Sequence, residues 1–210
     1  MKKELIEILF QKLAQANPEP KSELLYVNDY TLLVAVVLSA QMTDKGVNKA
    51  TAPLFKKIKT PRAMVKLGEE NLRDAIKSLN LYKTKAKNVI ALSEILIKDH
   101  KGKVPADRKA LESLPGVGRK TANVVLNVAF GEPTMAVDTH VFRLCNRTSL
   151  ARGETPLEVE KKLLKVVPDR WARHAHHWLI LHGRYVCKAR KPLCGTCIIR
   201  EVCGYKDKTV

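Results

Sequence analysis

The sequence predicts an all-α protein assembled from many short helices. Apolar residues recur at spacings of three and four over most of the 210 residues, whereas alternation of apolar and polar residues is nowhere sustained. A hydrophobic content of 45% is enough for a packed core, and ten glycines with ten prolines exclude a collagen-like or low-complexity chain.

The first predicted helix carries Ile6 and Leu9 on one face and stops before Pro18. Residues 30–40 are apolar almost all round, which is typical of a buried central helix. Asp107 is placed to cap a short helix before the glycine-rich segment discussed below. Apolar stripes of helical period predict the remaining helices, at residues 72–79, 86–97, 121–130, 159–167 and 171–182.

Net charge limits the class of partner. The chain has 38 Lys and Arg against 21 Asp and Glu, a formal net charge of +17. Such a surface suits nucleic acid, an anionic membrane surface or an acidic protein, and it is equally compatible with solvated helix faces. The longest aliphatic run, residues 32–38, is far shorter than the ~20 residues that cross a bilayer, and the N-terminus has no signal-peptide pattern. We therefore expect a soluble cytoplasmic protein without a membrane partner.

Four of the five cysteines lie close together in the pattern C-x6-C-x2-C-x5-C, formed by Cys187, Cys194, Cys197 and Cys203. Because a chain without a secretory signal seldom uses disulfides, this grouping indicates a metal site. A single C-x2-C pair is atypical of structural zinc, so a [4Fe–4S] cluster is favoured and zinc is the alternative. Cys145 stands apart in apolar sequence and is expected to be a small buried hydrophobic residue.

Between the first two of these cysteines the sequence carries three cations, Lys188, Arg190 and Lys191. A loop tied at both ends by a metal could hold Arg190 and Lys191 as a phosphate-contacting finger. The alternative is a solvated loop whose cations offset the negative charge of the cluster. The loop alone does not separate these two interpretations.

The most informative segment is LPGVGRKTA at residues 114–122, a tight glycine turn between two predicted helices. It is not a Walker A loop, because Gly118 is followed by Arg119, and it lacks the third glycine and the preceding strand of a dinucleotide fingerprint. The pattern is that of a helix-hairpin-helix, whose glycines and N-terminal amides suit a DNA phosphate. An ordinary helix–helix turn is the alternative. The residues that would contact DNA here are Leu114, Gly116, Val117, Gly118 and Arg119.

Two polar residues are candidates for chemistry. Lys120 lies in the first turn of the second hairpin helix beside Arg119, where the helix dipole and the neighbouring cation disfavour another positive charge. A neutral amine there is a nucleophile, but a lysine at this place also suits a simple phosphate contact. Asp138, flanked by apolar residues, is either a helix N-cap or a partly buried carboxylate beside a developing cation.

Several motifs together resemble the endonuclease III family. They are LSAQMTD at 38–44, LPGVGRKTA at 114–122, VDTHVFR at 137–143, HGRY at 182–185 and the cysteine pattern at 187–203. The resemblance covers essentially the whole chain. It implies a bifunctional DNA glycosylase that removes oxidised or ring-saturated pyrimidines from duplex DNA. It also implies cleavage of the resulting abasic site by β-elimination through a lysine Schiff base.

The resemblance further implies a helix-hairpin-helix DNA glycosylase fold, with two helical domains and the active-site cleft between them. A six-helix domain would span 22–132 and contain the hairpin at 107–130, and an iron–sulfur domain would combine 1–21 with 133–210. Lys120 would be the nucleophile and Asp138 its catalytic partner, while Gln41 and Leu81 would fill the space left by the extruded nucleotide. The implied partner is double-stranded DNA with damaged pyrimidines or abasic sites, bound by a monomer associated with the nucleoid.

Other functions within and outside this fold are considered beside that one. An adenine glycosylase is opposed by Lys120 and by the end of the chain soon after Cys203, which leaves no room for a further recognition domain. A pyrimidine-dimer glycosylase would share both the lysine and the cluster. A non-enzymatic helix-hairpin-helix module would bind DNA through phosphate contacts alone.

Overall fold

The computed structural model describes residues 1–209, which contain helices and no strands. The all-α prediction is therefore confirmed. The helices are α1 (Lys3–Ala16), α2 (Asp29–Leu38), α3 (Asp44–Lys57), α4 (Pro61–Leu67), α5 (Glu69–Ala75), α6 (Tyr82–Asp99), α7 (Arg108–Glu112), α8 (Arg119–Phe130), α9 (Thr139–Thr148), α10 (Pro156–Val166) and α11 (Asp169–Tyr185). Over the same residues, no helix has the length and apolar character that crossing a membrane requires.

The helices form two compact units, each with its own hydrophobic core. The first, here called the hairpin unit, is Ser22–Gly131 and contains α2 to α8. The second, here called the cluster unit, combines residues 1–21 with residues 132–209 and contains α1, α9, α10, α11 and the cysteine-rich tail.

Helix α2 is the centre of the hairpin unit. Every side chain from Tyr30 to Leu38 is buried, as the apolar run predicts. A capping box closes its N-terminus, because the Thr31 amide donates to the Asn28 side chain and the Asn28 amide donates to the Thr31 hydroxyl. The helix packs against α3, α6 and α8, so three later segments take their positions from it.

One predicted helix is shorter than its sequence pattern indicates. The apolar stripe at 72–79 predicts a helix, but α5 ends at Ala75, and Ile76 and Leu79 bury their side chains from the following turn. Gly68 has a φ of 81° and separates α5 from α4, because a positive φ interrupts a right-handed helix. The hairpin unit consequently has seven helices where the resemblance implies six, and α7 is only five residues long.

Helices α7 and α8 form the hairpin. Asp107 caps α7 as predicted, since its Oδ1 accepts a hydrogen bond from the Ala110 amide at 2.8 Å. Helix α8 begins after Gly118 and ends at Gly131, a left-handed C-cap with a φ of 72°. The predicted helix at 121–130 is thus confirmed.

The cluster unit joins the two ends of the chain. Helix α1 packs on α11, and the Trp178 indole donates a hydrogen bond to the Asn17 carbonyl at 2.8 Å. Cys145 is fully buried on α9 and burial raises the pKa of its thiol, so it is the small hydrophobic residue that was predicted. His177 is buried on α11, where burial and the charge of His174 lower its pKa to about 4.

Candidate functional site

The turn of the hairpin, residues 113–118, is anchored by its apolar side chains. Leu114 and Val117 are buried in the core of the hairpin unit. Gly116 has a φ of 79°, and a Cβ there would lie 3.2 Å from the Cβ of Asn88. Packing and backbone conformation therefore both require glycine at this position. Because the side chains of Leu114 and Val117 are buried, any contact that they make with a ligand must use main-chain atoms.

Gly118, Arg119 and Lys120 form an exposed run at the start of α8. A Cβ at Gly118 would meet no atom within 4 Å, so the surface there is open. Gly118 is the N-cap of α8, and no side chain in the described part of the chain caps this end of the helix. The amides and the dipole at such an end favour an anion.

Gln41 and Leu81 are exposed residues that share an unusual backbone conformation. Both have a φ of 56°, in the left-handed region that residues other than glycine rarely adopt. The Leu81 side chain is 60% exposed although it is apolar. The two loops lie side by side, because Nδ2 of Asn80 donates a hydrogen bond to the Gln41 carbonyl at 3.3 Å. The structure therefore brings Gln41 and Leu81 together on neighbouring loops of the hairpin unit.

Asp138 caps helix α9 in the cluster unit. Its Oδ1 accepts hydrogen bonds from the amides of His140 and Val141, both at 2.9 Å. The N-cap interpretation is confirmed. The residue is half-buried, and the positive end of the helix stabilises its negative charge. Both amides use Oδ1, so the cap does not engage Oδ2, and the carboxylate retains an oxygen for a second role.

The four clustered cysteines line one cavity of the cluster unit. The other walls of the cavity include the apolar side chains of Leu144 and Pro192. All four thiols are free and partly buried. Burial raises the pKa of Cys197, a backbone hydrogen bond from Ile199 opposes this, and the other three thiols raise it again. Four cysteine side chains around one apolar cavity are the kind of ligand set that holds an iron–sulfur cluster.

Two arginines of α9, to which the sequence patterns assign no function, tie the tail to the rest of the cluster unit. Arg143 donates to the Gly183 carbonyl at 2.6 Å and to the Cys187 carbonyl at 3.0 Å. Arg147 donates to the Lys188 carbonyl and to the next carbonyl along the chain, at 2.6 and 3.0 Å. The two arginines are four residues apart and lie on one face of α9. That spacing is visible in the sequence, but their acceptors are backbone carbonyls 40 to 44 residues later.

The loop at 188–193 presents its cations to solvent from a defined backbone. Arg190 and Lys191 are exposed, and Lys191 has a left-handed φ of 48°. The Leu193 amide donates to the Val186 carbonyl at 2.9 Å, which closes the loop on itself. A defined backbone with exposed cations is what a phosphate-contacting finger requires.

Two family models match the chain. One, described as HhH-GPD superfamily base excision DNA repair protein, matches residues 34–169. The other, described as the iron–sulfur binding domain of endonuclease III, matches residues 187–203, which begin at Cys187 and end at Cys203. The prediction of a [4Fe–4S] cluster is thereby confirmed.

Known proteins that are similar to this chain in sequence are named endonuclease III. The chain is 58% identical over 205 residues to endonuclease III of Rickettsia conorii, and the match covers 98% of each chain. It is 58% identical over 203 residues to endonuclease III of Escherichia coli strain K12, covering 97% of this chain and 96% of that one. It is also similar to a solved structure of a trapped endonuclease III–DNA covalent intermediate, with a TM-score of 0.89 and 45% identity over 97% of this chain and 96% of that chain.

Proposed function

Because the chain belongs to the endonuclease III family and is a bifunctional base-excision-repair glycosylase and lyase, we propose that Lys120 and Asp138 perform its chemistry. The proposed substrates are oxidised or ring-saturated pyrimidines in duplex DNA. The observation that carries the proposal is the exposed amine of Lys120 at the uncapped, anion-favouring end of α8. A glycosylase that hydrolyses with water needs no amine there, whereas a Schiff-base lyase does.

Lys120 acts as the nucleophile. Its neutral amine attacks C1′ of the damaged nucleotide, and the base departs with the electron pair of the C1′–N bond. The amine then loses a proton, the sugar ring opens and a Schiff base forms at C1′. Removal of a C2′ proton expels the 3′ phosphate by β-elimination, and water finally hydrolyses the Schiff base to release Lys120.

Asp138 acts through its charge. A carboxylate near the sugar stabilises the positive charge that develops as the base leaves, and it assists the accompanying proton transfers. The two amide bonds to Oδ1 hold the carboxylate in one orientation, while the cap leaves Oδ2 uncommitted. The cap therefore supports the catalytic role rather than competing with it.

The hairpin and two exposed loops act on the DNA itself. The amides at the start of α8 suit a phosphate, and Gln41 with Leu81 fills the gap when the damaged nucleotide leaves the stack. Leaving the stack costs least where base pairing is already disrupted, which supports damaged pyrimidines as substrates. The proposed phosphate contacts come from the main chain of Leu114, Gly116, Val117 and Gly118 and from the side chains of Arg119, Arg190 and Lys191. We propose that the protein acts as a monomer and searches the DNA of the nucleoid for damaged pyrimidines.

The ligands of the iron–sulfur cluster are proposed to be Cys187, Cys194, Cys197 and Cys203, the four cysteines that line the cavity. When bound, the cluster would cross-link the parts of the tail that carry the four cysteines. It would also supply a redox-active centre. The chain's own part is to hold the loop at 188–193 beside that cross-link, through the carbonyl contacts of Arg147.

Borohydride reduction tests the assignment of Lys120. The wild-type protein is expected to form a stable covalent adduct with duplex DNA that contains an abasic site, and Lys120→Ala is expected to form none. Lys109→Ala removes an exposed lysine from α7 of the same hairpin and is expected to form the adduct normally. Equal trapping by wild type and Lys120→Ala would assign the Schiff base to another amine. No adduct with the wild-type protein would favour a non-enzymatic module.

The substrate class is tested with a panel of lesion duplexes of identical flanking sequence. Oxidised and ring-saturated pyrimidines are expected to be excised, and undamaged pyrimidines are not. Faster excision of a pyrimidine dimer than of every oxidised pyrimidine would replace the proposed specificity with that of a dimer glycosylase.

A further inference from the structure

Lys85 has a buried ammonium group in the hairpin unit. The residue is 5% exposed, and its Nζ donates a hydrogen bond to the Ala40 carbonyl at 2.7 Å. None of its contacts in the described chain is an ion pair with a carboxylate. Burial lowers the pKa of Lys85, because removing the ammonium from water disfavours its charged form. An apolar side chain of similar length would avoid that cost, so stability alone does not explain a lysine at this position.

The bond made by Lys85 joins the two loops that carry Gln41 and Leu81. Ala40 lies just beyond the C-terminal, negative end of α2 and directly precedes Gln41. Lys85 lies in the first turn of α6, and its own amide donates to the Leu81 carbonyl at 2.9 Å. A single residue therefore holds Leu81 through its backbone and the neighbour of Gln41 through its side chain.

Asn80 makes a second link between the same loops. Its Nδ2 donates to the Gln41 carbonyl at 3.3 Å, and its amide lies 3.3 Å from Sδ of Met42 as a donor. Asn80 before Leu81 and Lys85 four residues after it thus contact the segment from Ala40 to Met42. A left-handed backbone at a residue other than glycine is strained, and it persists only where surrounding contacts hold it in place. The hydrogen bonds of Lys85 and Asn80 provide such contacts for Gln41 and Leu81.

We infer that Lys85 and Asn80 are positioning residues that lock the Gln41 loop to the Leu81 loop, so that both side chains enter the DNA stack as one rigid pair. The inference rests on the proposed gap-filling role of Gln41 and Leu81. Two loops that are already joined lose less conformational freedom on insertion than two independent loops, and the difference favours the state with the nucleotide extruded.

The test compares Lys85→Met and Asn80→Ala on two substrates. Excision of an oxidised pyrimidine from duplex DNA is expected to fall about tenfold for Lys85→Met and about threefold for Asn80→Ala, from the loss of one charged and one neutral hydrogen bond. Borohydride trapping on single-stranded abasic DNA is expected to stay unchanged, because no base pair has to be opened or replaced there. Lys98→Met removes one exposed charge from the far end of α6 and serves as the charge-matched control.

A double-mutant cycle then asks whether the residues act through Leu81. Once Leu81→Ala has removed the wedge, adding Lys85→Met is expected to change duplex excision less than twofold. Equal losses on duplex and single-stranded DNA, or fully additive losses in the cycle, would overturn the positioning role. Asn80→Ala alters an exposed side chain and decides the question if Lys85→Met fails to fold.

The same experiment separates this inference from the proposal beneath it. If Leu81→Ala leaves duplex excision at the wild-type rate, the gap-filling role fails and the inference fails with it. If Leu81→Ala slows duplex excision while Lys85→Met and Asn80→Ala do not, only the inference is overturned.

Discussion

Substitution of Asp138 separates its role as a helix cap from its proposed role in catalysis. Asp138→Ala removes the oxygen that accepts both the His140 and the Val141 amides on a ten-residue helix. Loss of such a cap costs about 1–2 kcal/mol of the free energy of unfolding. Asp138→Asn keeps an oxygen at the same place and loses only the charge at the helix N-terminus, which is worth roughly 0.5 kcal/mol. The two variants should therefore differ in stability by about 1 kcal/mol.

Activity is expected to follow the charge and not the cap. If the carboxylate stabilises the developing cation, both variants lose about a hundredfold or more in single-turnover strand cleavage of duplex DNA with an oxidised pyrimidine. Urea unfolding followed by circular dichroism gives the stabilities of the same preparations. Thr155→Ala is the matched control. It removes the hydroxyl that accepts a hydrogen bond from the Glu158 amide and caps α10, so it should lower stability without lowering activity. Cleavage by Asp138→Asn at more than a third of the wild-type rate would refute the catalytic role.

Other predictions concern the loop, the cluster and a buried histidine. Charge reversal at Arg190 and Lys191 should weaken binding to damaged and undamaged duplexes alike and reduce the slope of log affinity against log salt by about 2; an unchanged slope would favour a solvated loop. Cys197→Ala should lose the broad visible absorbance of an iron–sulfur cluster and Cys145→Ala should keep it; a colourless wild-type protein with stoichiometric zinc would contradict this. The pKa of His177 falls from 6.5 to about 4 on folding, so the unfolded chain binds the extra proton and stability should fall as pH drops through this range. From pH 7.5 to pH 5 the contribution of His177 to this loss is about 2 kcal/mol, measured as the part of the shift in the urea midpoint that disappears in His177→Gln.

Patterns within one segment were predicted well because the forces that set them are local. The nearly continuous apolar run at 30–40 predicts the buried helix α2, and Asp107 marks the start of α7 through its side chain. The cysteine spacing predicts an iron–sulfur site because the four cysteines fall within 17 residues of one another.

Contacts between distant segments could not be predicted from such patterns. Helix α3 was missed, since its apolar face is interrupted and Pro53 lies inside it. The apolar stripe at 72–79 has helical periodicity and so predicts a helix over its whole length. Periodicity alone does not show that the helix ends at Ala75. Arg143 and Arg147 donate to backbone carbonyls. Because every residue has a backbone carbonyl, the sequence does not indicate which ones the two arginines contact.

The paired loops of Gln41 and Leu81 illustrate the same limit at the candidate site. Nothing in the composition of either loop predicts a left-handed backbone at both residues. The resemblance implied a shared role for them, but the Lys85 and Asn80 bonds that join them appear only in three dimensions.

The packing of α1 on α11 imposes an order on the folding of the newly synthesised chain. The Trp178 indole binds the carbonyl of Asn17, 161 residues earlier. At about 5–20 residues per second, the ribosome needs roughly 8–30 s to add that length of chain. The last residue of the hairpin unit, Gly131, is synthesised within that interval, so the unit can fold during it. The apolar face of α1 still lacks its partner α11 at that stage. During synthesis the apolar face of α1 is therefore without its α11 partner for seconds.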